Sequence, residues 1–264
     1  MKNLRLAIFI TFITIVFTSS LQASNNKKIK GEYYQITVYH FKNTQQLAVT
    51  EAYLKNTYLP ILHKMGMEKI GVFVSIDNDT ATDKKLYVLL PIKKLQQLQI
   101  LATTLAKEVF TTNDTSSYIT AAYDNAPYQR IETIILKSFE KMPFLQTPSL
   151  TSQLTERVYE LRSYEAATEQ LYNQKVKMFN AGGEVALFNR LQFNAVFYAE
   201  VIAGSKMPNL MYMTTFNNKA ERDIHWKNFG ADTEWKTLSA LPEYQHTVSK
   251  ADIFFLRPTS YSDY

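Results

Sequence analysis

The chain contains no cysteine. Disulfides, thiolate nucleophiles and cysteine metal ligands are therefore excluded. Glycine is scarce, with seven in 264 residues. No Gly-x-Ser-x-Gly elbow, P-loop or dinucleotide-binding glycine pattern occurs, so serine-hydrolase elbows and phosphate-cradling loops have no counterpart here. The four histidines, His40, His63, His225 and His246, form neither a His-x-x-x-His nor a His-Glu-x-x-His pair, so zinc-ligand spacing is missing as well. Neither a metal nor a cofactor is called for by these patterns. Charge of one sign is also lacking. The formal net charge is +5, and apart from Lys27-Lys28-Ile29-Lys30 the basic residues are scattered. That balance gives no nucleic-acid footprint.

What is present begins with a leader-like segment. Lys2 and Arg5 precede an apolar run over residues 6–17, and Leu21-Gln22-Ala23 supplies small residues where a signal peptidase could cut. The run is shorter than the roughly 20 residues a membrane helix needs. Residues 1–23 are therefore read as a signal peptide cleaved after Ala23, with no stable membrane insertion afterwards and a periplasmic or secreted mature chain. No cysteine follows the run, so a lipoprotein anchor is excluded. Loss of Lys2 and Arg5 leaves 27 basic against 24 acidic residues.

The remaining sequence repeats itself at a nearly constant offset. Gln45-Gln46-Leu47 matches Glu169-Gln170-Leu171, Gly71-Val72-Phe73 matches Ala195-Val196-Phe197, and Leu86 matches Leu210, each 124 residues apart. The opening strands, from Tyr34 and Tyr159, stand 125 apart, and the closing ones, Ile134 against Ile253, 119 apart. Within each half the hydrophobic period alternates between two and 3.6 in the order strand, helix, strand, strand, helix, strand. Residues 34–41, 69–76, 86–92 and 128–139 read as strands. Helical spacing of Leu47, Leu54, Tyr58, Leu62 and Met65 ends at Gly66, with Pro60 expected to kink it. A second helix is expected over 93–109. The other half predicts strands over 158–164, 194–203, 210–216 and 249–256, with helices over 168–179, 220–229 and 232–241.

Such a βαββαβ unit packs both helices on one face of a four-stranded antiparallel sheet, the ferredoxin-like arrangement. Its other face must be covered, and a second copy in the same chain can do so. The predicted fold is α+β: two tandem ferredoxin-like repeats, residues 31–140 and 156–258, packed sheet to sheet as an intramolecular barrel with the helices outside. Residues 141–155, with Pro143 and Pro148, form the expected linker.

The strand 158–164, followed by Arg222-Asp223-Ile224-His225-Trp226, Phe229 and Glu234-Trp235, resembles the NIPSNAP family. The resemblance covers about the second half and implies a dimeric alpha-beta barrel. It implies no particular chemistry, because the family has no settled one, although some members are linked to vesicle traffic or mitochondrial signalling. Similar barrels elsewhere host haem enzymes and cofactor-free monooxygenases, and fold alone does not choose among them.

Period-two alternation in strand 158–164 sends Tyr159 and Leu161 to one face and Glu160, Arg162 and Tyr164 to the other. With the first pair assigned to the helices, Arg162, Tyr164, Tyr198, Glu200 and Tyr212 are the candidates for a polar, aromatic ligand pocket between the sheets. The structural alternative pairs Arg162 with Glu160 or Glu200 and leaves the tyrosines filling volume. Trp226 and Trp235 anchor the later helices to the sheet, or else mark an interface.

Three functions follow as expectations. The first is an exported, non-catalytic module that binds a small molecule or a protein. The second is a cofactor-free oxygenase or isomerase using Glu200 or Tyr164 as acid or base on a small apolar or aromatic compound. Haem binding is the third, since one proximal histidine suffices and His225 beside Trp226 is the best placed. Open strand edges also allow a homo-oligomer.

Overall fold

The computed structural model describes residues 30–111 and 117–264. The segment read as a signal peptide lies outside them. The elements are β1 (Tyr33–Phe41), α1 (Thr44–Tyr53), a π-helical turn (Leu54–Tyr58), α2 (Leu59–Lys64), β2 (Gly71–Ser75), β3 (Lys84–Ile92), α3 (Gln96–Thr111) and β4 (Arg130–Ser138). After them come β5 (Val158–Glu165), α4 (Glu169–Asn180), α5 (Glu184–Arg190), β6 (Phe197–Ala203), β7 (Asn209–Phe216), α6 (Lys219–Ala231), α7 (Thr233–Ser239) and β8 (Lys250–Pro258).

All eight strands join one closed antiparallel barrel in the order β1-β3-β2-β8-β5-β7-β6-β4. Each half contributes a ferredoxin-like sheet, β4-β1-β3-β2 and β8-β5-β7-β6. The halves meet edge to edge through β2–β8 and β4–β6. Closure leaves no free strand edge in the barrel.

Local signals explain the elements. Asn43 caps α1 by accepting the Gln46 amide, and Thr168 caps α4 by accepting that of Leu171. The missing N–H and bulky ring of Pro60 sit two residues beyond the end of the π-helical turn, where the helix changes pitch instead of running straight. Gly66, with φ of +75°, ends α2 in a left-handed conformation that costs glycine little.

The expected repeat holds for the opening strands and for β3 against β7, while strand pairing corrects two offsets. Gly71 pairs with Leu89 as Phe197 pairs with Met213, so β2 and β6 stand 126 residues apart instead of 124. That shift is even and preserves the face. Ile134 and Leu136 face the barrel interior, as do Phe254 and Leu256, so the closing strands stand 120 apart, not 119. A slip of one residue exchanges the two faces of a strand, and Ile253 accordingly points outward.

One helix was not expected. Residues 184–190 form α5, whose Val185, Leu187 and Phe188 are buried. It is too short to display a clear helical period, and Gly182-Gly183 reads as a turn rather than as the entry to another helix.

The core has three main parts. Inside the barrel, side chains from both halves interdigitate, among them Tyr34, Ile36, Phe73, Leu161, Phe197 and Met213. Between the first sheet and its helices lie Leu54, Leu62, Val72, Val88 and Leu90. The second helix layer is more aromatic, with Phe179, Phe188, Phe193, Tyr198, Tyr212 and Phe229. Burying each of these large side chains is worth about 1.5–3 kcal/mol relative to exposure. One barrel end is filled: Tyr264 packs its ring on Phe73 and Tyr159. Leu145, in the segment between the halves, is buried beside that core, and its amide is held by Glu32. The opposite end of the barrel holds a cavity.

Candidate functional site

Of the five residues singled out in sequence, the structure brings Arg162, Tyr164, Tyr198 and Tyr212 together. Their position corrects the expected face, because they lie on the helix side of the second sheet and not between the sheets. In β5 the inward residues are Tyr159, Leu161 and Ser163. Residues 158–163 are buried on both faces, so alternation alone could not say which face looked inward. Glu200 also points outward but stands apart, 3.9 Å from Lys137 Nζ and accepting a hydrogen bond from Tyr172.

The cluster is closed upon itself. Glu160, wholly buried, accepts from Arg162 Nε at 2.5 Å, from Arg222 Nε at 2.6 Å and from the indole N–H of Trp226 at 2.9 Å. Arg162 in turn donates to the Tyr164 hydroxyl at 2.7 Å, which lies 2.8 Å from the Tyr212 hydroxyl. The Arg162 guanidinium sits 3.6 Å from the centre of the Trp226 ring. Burial alone would raise the Glu160 carboxyl, but the two arginines outweigh it and hold the group below its ordinary range. This arrangement ties α6 to β5. It is the structural alternative weighed in the sequence: a paired buried carboxylate with tyrosines that fill volume and bond one another.

A cavity lies elsewhere, at the open end of the barrel. It has a volume of about 380 Å³. Val38, Tyr87, Ile134, Val201, Met211 and Phe254 supply its apolar wall, all from strands of the barrel. The rim is polar because strand ends meet solvent there: His40 ends β1, Lys85 begins β3, Glu132 begins β4, and Lys250 and Asp252 begin β8. The hairpin between β6 and β7 crosses the opening. Ser205 donates to Glu132 at 2.7 Å on one side, and Lys206 reaches Asp252 at 2.5 Å on the other.

Two features give this mouth chemical character. Asn209, 3% exposed, donates its amide N–H to Ser163 at 2.9 Å, while its amide oxygen has no hydrogen-bond partner. An unpaired buried carbonyl costs about 1–3 kcal/mol. His40 is the second feature, its Nδ1 3.0 Å from Asp83 and its Nε2 4.0 Å from Glu132. Burial would raise the Asp83 carboxyl, but hydrogen bonds from His40 and Lys85 hold it low. The hydrogen bond from Lys206, helped by Lys250, lowers that of Asp252. Carboxylates held this low are poor general bases near neutral pH.

Two of the other histidines are engaged away from the mouth. His63 faces Asp263, and His225 donates its Nδ1–H to the carbonyl of Leu191, its ring packed against those of Phe193 and Phe216. Among the described residues, no group of three histidine, aspartate or glutamate side chains is placed to hold a metal ion. No described helix is long and apolar enough to cross a membrane.

Sequence reasoning missed the mouth. His40 was noted, but Lys85, Lys206, Asn209, Asp252 and Phe254 were not. The usable signal was the placement of charged residues at the same end of several strands, which becomes visible only with the strand order and register known.

Comparison with known proteins agrees with this architecture. Residues 159–263 match the NIPSNAP family model. The NIPSNAP-matching half therefore carries the Glu160 cluster and the β7 and β8 walls of the mouth. No curated protein matches the chain. Among solved structures, a monooxygenase-like protein from Lactobacillus acidophilus NCFM is similar at 12% identity, over 87% of this chain and 94% of that one, with a TM-score of 0.55. A second monooxygenase-like protein, from Fusobacterium nucleatum, is similar at 8% identity over 87% and 93%, with a TM-score of 0.54. At such identities the likeness concerns the fold: a mixed α/β protein built on an eight-stranded antiparallel barrel of the dimeric alpha-beta barrel type.

Proposed function

We propose that the chain is an exported, NIPSNAP-like, non-catalytic binding module that holds a small molecule in the open end of its barrel. The carrying observation is the cavity of about 380 Å³, with apolar walls and the partnerless buried amide oxygen of Asn209. Ligand pockets combine mostly apolar linings with a few oriented polar groups and span roughly 300–1,000 Å³. This cavity belongs at the small end of that range. Export rests on the leader-like residues 1–23. The rim carboxylates Asp83 and Asp252 are committed to cations, which favours binding over acid–base chemistry.

Nuclear magnetic resonance of selectively labelled protein against a library of small fragments tests the reading. Shifts that cluster at Asn209, Gly204 and Lys206 support it. Hits confined to other surfaces, or no hits from a folded sample, count against it.

A cofactor-free oxygenase or isomerase is the second reading, and one observation favours it: the His40 imidazole in the mouth, oriented by Asp83 at 3.0 Å. His40 then replaces Glu200 and Tyr164 as the base, since those two face away from the cavity. Turnover of any ligand found in the mouth, abolished in His40→Asn, supports this reading, whereas recovery of the ligand unchanged after prolonged incubation removes it.

A further inference from the structure

The mouth has an uneven distribution of charge that bears on which ligand it takes. At the rim, the ammonium groups of Lys85 and Lys206 stand 6.0 and 5.9 Å from the centre of the same ring, that of Phe254. Lys85 comes from the start of β3 and Lys206 from the β6–β7 hairpin, so the two heads arrive from different elements. Each spends a donor on a carboxylate, Lys85 on Asp83 at 3.2 Å and Lys206 on Asp252 at 2.5 Å. An ammonium carries three donors, so both retain capacity for a further acceptor. Their aliphatic stems can lie along apolar surface while the heads stay hydrated at the opening.

The interior has the opposite preference. Burial pushes the Tyr87 phenol up, and the charges of Asp77, Asp83, Glu132 and Asp252 push it further. The apolar wall formed by Val38, Ile134, Val201, Met211 and Phe254 would desolvate a negative charge without compensation. A ligand therefore gains from one anionic group at the rim and loses from a second group deeper in.

We propose that the mouth takes a small apolar monocarboxylate, with its carboxylate between Lys85 and Lys206 and its hydrocarbon body against Phe254. This assignment rests on the reading of the mouth as a binding site and adds the class of ligand.

Isothermal titration of the purified protein with four probes of matched length tests it: octanoate, octan-1-ol, octylammonium and the dicarboxylate suberate. Octanoate is expected to bind at least tenfold more tightly than each of the other three. Lys206→Met, which keeps the aliphatic stem, should weaken octanoate at least fivefold and leave octan-1-ol unchanged. Equal or tighter binding of octan-1-ol, octylammonium or suberate overturns the monocarboxylate assignment while leaving the mouth as a binding site. Undiminished octanoate binding by a folded Lys206→Met variant overturns it also. Absence of binding by all four probes defeats the assignment. The reading of the mouth as a site then stands or falls separately, on whether fragments shift the resonances of Asn209 and Gly204.

Discussion

Lys206 Nζ lies 2.5 Å from Asp252 Oδ2, so that a residue of the β6–β7 hairpin is tied to the beginning of β8 across the barrel opening. On the other side Ser205 holds Glu132. The hairpin is thus anchored to both walls of the mouth by contacts that are partly open to solvent.

Asp252→Asn removes one anchor. Because the Lys206–Asp252 pair is partly exposed, global stability should change by no more than about 1 kcal/mol. Local protection should change more. Amide exchange over residues 203–208 should quicken in the variant while that of the barrel strands stays as it is, and hydrogen-exchange mass spectrometry reads both together.

The Glu160 cluster predicts a larger effect. Glu160→Gln leaves Arg162 and Arg222 without their shared carboxylate and should destabilise the fold by about 3–5 kcal/mol. Its folded pKa lies below the ordinary value of 4.5. The carboxylate therefore contributes stability that is fully present above that value and lost as pH falls through the folded pKa. Urea unfolding from pH 6 downward should show a steep acid loss in the natural protein and a flatter one in Glu160→Gln. Ligand binding at the mouth should be unaffected once the variant is folded.

Lys175 and Glu184 behave in the opposite sense. Both are buried, with Nζ 2.8 Å from Oε2, and burial raises the Glu184 carboxyl although Lys175 partly opposes it. A raised carboxyl favours folding below pH 4.5, and that contribution fades as pH rises through the folded pKa. Replacing the pair by Lys175→Met with Glu184→Leu should be neutral or stabilising by about 1–4 kcal/mol, whereas Lys175→Met alone should cost about 3–5 kcal/mol. Thermal or urea unfolding of the two variants decides this.

Trp226 and Trp235 both pack against the aromatic layer of the second half, Trp235 with its ring centre 4.4 Å from that of Phe229. Emission of the folded protein should be blue-shifted and poorly quenched by iodide. Red-shifted, readily quenched emission would place at least one indole at an interface or in solvent.

The architecture was largely legible because it depends on period and order: alternation in β1, helical spacing from Leu47 to Met65, and recurrence of the same sequence of elements. Faces were harder. A strand buried on both sides carries no polarity, so Glu160, Arg162 and Tyr164 could be grouped correctly and still be sent to the wrong side of the sheet. The one-residue slip in pairing Ile134 with Ile253 instead of Phe254 arises because β8 carries apolar residues on both faces, Ile253 and Phe255 outward and Phe254 and Leu256 inward, and it concealed the aromatic wall of the cavity. The mouth itself was illegible for another reason. Its rim collects residues from β1, β3, β4 and β8 and from the β6–β7 hairpin, positions up to 212 residues apart from His40 to Asp252, and only closure of the barrel makes them neighbours.

Native mass spectrometry of the protein purified without added ligand, beside its Gly204→Phe variant, tests the central claim most directly. A side chain at Gly204 points at Val201 and Ile134, within the lining of the mouth, with its Cβ 3.2 and 3.4 Å from their methyl groups. The account predicts a reproducible extra small-molecule mass on the natural protein and its loss from the folded variant. A bare natural protein, or an extra mass that persists in Gly204→Phe, would contradict it.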